Sequence, residues 1–346
     1  MLIHEIFRSR MALVWCLFAF AANSSGAALR GKVEGVESSI LPGSVESAVG
    51  AEAHLIAHRG DRGELIGSDG LRRSIDYSEV LYASHNLVRS KDGRLRFAGI
   101  DGGSNCRVFM LNGDAKPVRS APLSNCGLME LFSTKGGLIA WVQEEDKTHR
   151  LAFLNEEGKE LRKIRLPGAN MIVTSVALAG GKLFAAMQST NPDGEINVFG
   201  LDTASSSSNG KVLVQGTGAL LAESSGLLIL AVQRKDRRVL LGFDVALNKK
   251  WETTITLDKG LSTYGQLIAE GGHIYYVSGN NNKFFAASFD IEGRKLVEVI
   301  DEDAHRPLPV GGFAVSVVQG KLKAIGIATD GGKTSVLETF IVDGWK

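Results

Sequence analysis

The chain has 346 residues, a formal charge of +1 and 22% charged side chains, with no acidic or basic block that would suit nucleic acid or a membrane surface. A hydrophobic content of 44% excludes a disordered chain, and aromatics at 7% are too scattered to stack single-stranded bases. Glycine is abundant (41) and proline scarce (7), a balance that suits many tight hairpins in one all-β unit.

The N-terminal stretch reads as a targeting signal. Arg8 and Arg10 precede an apolar run from Met11 to Ala22, and small residues at Ser25 and Ala27 make a cleavage site. The run is too short to span a bilayer. Residues 1–27 are therefore expected to be a secretory signal peptide and 28–346 the mature domain, not membrane-spanning after cleavage. A secreted or periplasmic product follows, and the lack of an Asn-x-Ser/Thr acceptor beyond residue 27 fits a periplasm.

Beyond the signal, Lys32-Val-Glu-Gly-Val-Glu reads as an isolated strand. A repeat then begins, degenerate near Ala53 and clear from Gly93, Gly137, Gly181, Gly226, Gly272 and Gly320, spaced 44 to 48 residues apart. The unit around Gly181 contains four strand-like segments. Met171-Ile-Val-Thr-Ser-Val-Ala-Leu leads through Gly180-Gly181 into Lys182-Leu-Phe-Ala-Ala-Met. Asn191-Pro-Asp-Gly then turns into Ile196-Asn-Val-Phe, and a Ser-rich loop, residues 205–208, leads to Lys211-Val-Leu-Val-Gln. Four antiparallel strands in about 45 residues match one propeller blade. Arg107-Val-Phe-Met-Leu-Asn, Arg150-Leu-Ala-Phe-Leu-Asn and Val239-Leu-Leu-Gly-Phe-Asp end in Asx turns, and Leu161-Arg-Lys-Ile-Arg-Leu alternates as an outer strand should. The last repeat lacks a fourth strand. The expectation is an all-β fold, a single β-propeller of seven four-stranded blades, with the N-terminal strand completing the last. Six blades plus an irregular segment is the alternative, because the first unit is weak.

Phe243-Asp-Val-Ala-Leu-Asn-Lys-Lys-Trp251 and Phe289-Asp-Ile-Glu-Gly293-Arg-Lys-Leu are similar to the quinoprotein-like (PQQ-type) propeller repeat: apolar-Asp, a short turn with Gly, then a strand that often carries Trp. The resemblance implies the propeller fold and a family rich in non-catalytic periplasmic scaffolds. Only Trp251 stands in the tryptophan place, so no quinone cofactor is assigned.

Cys106 and Cys126, each in Ser-Asn-Cys, are expected to form a structural disulfide at one end of a blade. His54 and His58 lie about 13 Å apart along a strand, too far to share a metal. His273 reads as packed, His305 beside Asp301-Glu-Asp as part of a solvated turn, and no zinc spacing is present. Gly326 to Thr334 superficially resembles a phosphate loop but is flanked by strands on both sides. No catalytic residue, cofactor or metal is assigned.

Polar turns between second and third strands, at residues 101–105, 144–148, 189–194, 234–237, 279–282 and 330–333, would gather on one face. Asp101, Asn105, Glu144, Glu145, Asp193, Arg234, Arg237, Asn281 and Asp330 are the candidate binding residues for a protein or glycan partner. The competing class is a propeller lyase, hydrolase or quinoprotein with a site near the axis. The inner segments Val173-Thr-Ser-Val-Ala and Phe313-Ala-Val-Ser-Val are small and apolar, where an enzyme would place His, Asp, Arg or Tyr.

Overall fold

A computed structural model describes residues 29–30, 32–41, 46–50, 53–57, 62–67, 71–112, 116–167, 171–189, 194–202, 207–235, 237–256, 265–280, 283–301, 313–318, 321–330 and 334–343. The expected signal peptide, His58, Asp193, Asn281, His305 and residues 331–333 of the glycine-rich 326–334 stretch lie outside them. No helix among the described residues is long and apolar enough to cross a membrane.

The described strands group into antiparallel sets of four, named blades here. Blade 1 spans residues 46–76, blade 2 80–119, blade 3 128–165, blade 4 171–215, blade 5 217–256 and blade 6 265–301. Blade 7 combines Phe313–Val318, Lys321–Asp330 and Thr334–Asp343 with the N-terminal strand Lys32–Leu41, which pairs antiparallel with Thr334–Asp343 from Lys32↔Asp343 to Leu41↔Ser335. The short strand Leu29–Arg30 runs parallel along Lys295–Asp301 of blade 6, a pairing the sequence did not suggest. Blades 1 and 2 share one sheet through a single parallel pair, Val49↔Asn86. The first strands lie side by side around an axis, and that of blade 7 lies beside that of blade 1.

Second and third strands are apolar throughout because both of their faces are covered. In blade 4, Leu183, Ala185 and Met187 pack toward blade 3, while Phe184 and Ala186 pack toward blade 5. The core is thus a set of slabs between neighbouring blades. The outer strand Glu160–Arg165 is mostly exposed, and only Ile164 in it is buried. In blade 4 the outer strand starts at Ser207, inside the expected Ser-rich loop.

The repeated glycines Gly93, Gly137, Gly181, Gly226 and Gly272 all take positive φ in the first hairpin of their blade. The hairpins between third and fourth strands use Asx instead: Oδ1 of Asn155, Asp244 and Asp290 accepts backbone N–H groups two and four residues on. These turns dock on the preceding blade. Gly293, in the turn of blade 6, lies so close to Trp251 of blade 5 that a Cβ would sit 2.5 Å from the indole Cε3. Trp251 Nε1 donates to Ile291 O (2.8 Å) and Thr253 Oγ1 to Gly293 O (2.6 Å). The tryptophan that carries the repeat resemblance therefore stitches two blades.

Candidate functional site

The second-to-third turns and the connections between blades share one face, and its geometry starts from turn chemistry. In 101–105, Asp101 Oδ1 accepts the N–H groups of Gly103 and Asn105, both at 2.9 Å, while Ser104 takes φ 62°. That leaves Oδ2 for Arg107, whose Nη1 goes on to Ser120 O (2.6 Å) in the connection to blade 3. Asp101 is only 3% exposed. The Asn105 N–H above all, and Arg107 beside it, hold its carboxyl well below the usual range.

Blade 3 repeats the arrangement. Thr148 Oγ1 donates to Glu144 Oε2 (2.8 Å), and Arg150 pairs with Glu144 Oε1. Arg150 is 2% exposed and also donates to Ser124 O (2.7 Å) and Asn125 O (3.1 Å), with Glu160 at 3.3 Å. The Thr148 hydroxyl, then Arg150, lowers the Glu144 pKa against its burial. Cys106 and Cys126 are bonded, with Cα atoms 6.0 Å apart, and fasten the same 120–127 connection to blade 2. In blade 5, Arg238 is fully buried and donates to Tyr276 Oη of blade 6 (2.7 Å) and to Gly218 O (3.0 Å).

Asp101 and Glu144 thus turn inward and serve as counter-ions for arginines that brace the inter-blade connections. Asn105 is exposed, but its amide folds back on Asp101 Oδ1 (3.1 Å). Glu145 and Arg237 are exposed and Arg234 half-buried. Asp330 ends its strand opposite Thr334. Arg107, Arg150 and Arg238 were missed, yet a signal exists: an acidic residue closing the second strand and an arginine six positions later, as in 101/107 and 144/150. The buried His149 was also unexpected; it stacks on Trp141 with ring centroids 5.5 Å apart.

Two concavities border this framework. An axial cavity of ≈ 390 Å³ is lined by Asn86, Arg89, Ser133, Thr174, Ser175 and Gln266 among apolar neighbours. Its hydroxyls tie inner strands together: Ser133 Oγ donates to Arg89 O (2.6 Å), and Ser175 Oγ accepts the Leu221 N–H (2.9 Å). A groove of ≈ 850 Å³ lies between blades 4 and 5, with Arg234, Lys235, Arg237 and Glu252 on its walls. Among the described residues, no three His, Cys, Asp or Glu side chains gather as a metal site.

No protein-family model matches this chain, and the search of curated proteins finds no match. Solved structures do resemble it. Virginiamycin B lyase from Staphylococcus aureus is 14% identical with a TM-score of 0.50, over 88% of this chain and 99% of that one. The β-propeller domain of the Trilobed protease from Pyrococcus furiosus is 12% identical with a TM-score of 0.55, over 87% of this chain and 96% of that one. A chain of the mitotic checkpoint complex is 13% identical with a TM-score of 0.57, over 93% of this chain and 95% of that one. At such identities the likeness speaks for architecture alone: the chain folds as a β-propeller.

Proposed function

We propose that this protein is an exported, non-catalytic seven-bladed propeller that binds a protein or glycan partner through the face of its second-to-third turns. One observation carries the reading. The half-buried Arg107 and the buried Arg150 hold two connections of this face by their carbonyls, while Glu145 and Arg237 are exposed and Arg234 half-buried beside them. A fixed frame presenting variable polar side chains loses little entropy on association. The disulfide supports export to an oxidising compartment, and the inter-blade role of Trp251 supports the kinship with quinoprotein-like repeats.

The competing reading, a propeller lyase or hydrolase, draws on the axial cavity, whose ≈ 390 Å³ falls within the size range of ligand pockets. Its described lining offers hydroxyl and amide groups and the always-charged Arg89, which orient a ligand more readily than they exchange protons. Affinity purification of the tagged mature chain from its native envelope or secretome, with mass spectrometry, separates the two. A specific co-purifying partner, lost when the turns at 144–148 or 234–237 are replaced by alanine, is the expected result. Turnover in a metabolite screen would overturn it.

A further inference from the structure

The outer strand of each blade presents a row of backbone donors and acceptors to any other strand, and charge or shortness is what keeps such an edge from pairing. Arg72–Asp76, Glu160–Arg165, Lys249–Thr256, Lys295–Asp301 and Lys32–Leu41 each carry at least three charged residues in their sequences. Val118–Arg119 is two residues long. Lys295–Asp301 is also covered in part by Leu29–Arg30. Six of the rim strands are therefore guarded.

The outer strand of blade 4 has neither protection. Ser207–Gln215 reads Ser-Ser-Asn-Gly-Lys-Val-Leu-Val-Gln, 9 residues with Lys211 as the one charge. That charge leans over its own blade, with Nζ 5.6 Å from the centroid of the Phe199 ring. Leu213 is 50% exposed. A bulge beside Gly210 limits the regular ladder to Gly210–Gln215. Blades 3, 5 and 6 have a bulge at the equivalent place and are charged as well, so the uncharged edge is particular to blade 4. At its end, Gln215 O accepts from Arg234 Nε (3.0 Å) and keeps a second lone pair.

We propose that two copies of this chain pair along this edge, antiparallel, about a two-fold axis at Leu213. In that register Leu213 meets Leu213, Val212 meets Val214 and Lys211 meets Gln215, so apolar residues face each other. The two Lys211 positions stay about 13 Å apart along the ladder. An axis at Lys211 would instead set like charges opposite each other. Pairing joins two four-stranded blades into one eight-stranded sheet, an ordinary size. Each chain offers one such edge among the described residues, so the contact closes at a dimer and does not propagate. A few residue pairs bury far less than a standard interface, which makes the dimer weak, with a Kd on the order of 10–100 µM. This surface lies at the rim and is independent of the proposed partner-binding face.

Sedimentation velocity of the full mature chain from about 2 to 500 µM is the test. The weight-average coefficient should rise with concentration toward that of a dimer. Leu213→Lys and Leu213→Glu, both at an exposed position, each bring like charges face to face and should weaken association about tenfold or more. An equimolar mixture of the two variants should recover it, because the facing charges are then opposite. Leu161→Lys, at an exposed leucine on the charged edge of blade 3, should change nothing. The proposal falls if the unaltered chain stays monomeric throughout, if either Leu213 variant associates as the unaltered chain does, if the mixture recovers nothing, or if Leu161→Lys abolishes association. A monomer that captures the strand of another protein at Leu213 would overturn it too.

Discussion

The two faces of this propeller fasten neighbouring blades by different chemistry. On the face of the second-to-third turns the fasteners are ionic: the half-buried Arg107 and the buried Arg150 reach carbonyls of the connections, with Asp101 and Glu144 as counter-ions, while the buried Arg238 reaches Tyr276 of the next blade and Gly218 O of its own. On the opposite face they are mostly contacts of shape. Gly158 fits against Val108 and Ser120, Gly180 against Val245, and Gly293 against Trp251. Arg96 is the exception there, fully buried and paired with Asp92 at 2.7 Å and Glu156 at 3.3 Å. Ionic fasteners fix direction and fail abruptly, because losing one member strands the other in a poor solvent. Packed fasteners fail by degrees.

Substitutions can break each kind. Arg150→Ala should have the largest effect, roughly 3–5 kcal/mol, since Glu144 would remain buried without its cation. Denaturant midpoints would register it, and adding Glu144→Gln should recover part of the loss. Removing the disulfide with Cys106→Ser and Cys126→Ser should cost roughly 3 kcal/mol. Little change there would mean that the arginine contacts alone hold the 120–127 connection. Gly293→Ala tests the packed face. At φ +78° and against the Trp251 ring, it should cost roughly 1–3 kcal/mol, and Trp251→Ala in the same chain should relieve the steric part.

The smallest effect concerns pH. Burial lowers the His149 pKa below its ordinary 6.5. A depressed folded-state pKa means the stability associated with the neutral ring is complete above the unfolded value and is lost as pH falls below it. Thermal midpoints should therefore decline from about pH 6.5 downward, and His149→Phe should flatten that limb. An unchanged slope would show that other groups set the acid response.

The repeat was legible because each blade restates the same hairpin problem. Gly137 and Gly181 mark first hairpins, and Asn155, Asp244 and Asp290 mark third ones, by backbone chemistry that local sequence fixes. The terminal strand Lys32–Leu41 was legible from the missing fourth strand in the last repeat. The direction of Asp101 and Glu144 was not. A carboxylate in a turn looks solvated until the guanidinium that receives it is known to be buried, and Arg150 opens its strand like any surface residue. The groove at Arg234 and Arg237 likewise needs Gln215 and Glu252, which only the fold brings near.

The pairing of the N-terminal strand has a mechanical consequence. Because Lys32 lies opposite Asp343 and Leu41 opposite Ser335, the two arms leave the ladder at the same end. Tension applied across the chain termini would first strip Leu29–Arg30 from Lys295–Asp301, then peel this sheet open one residue pair at a time from Lys32, rather than shearing all its hydrogen bonds together. The ring is thus built to yield stepwise under traction, at Leu29–Arg30 first and along the Lys32–Leu41 ladder after it.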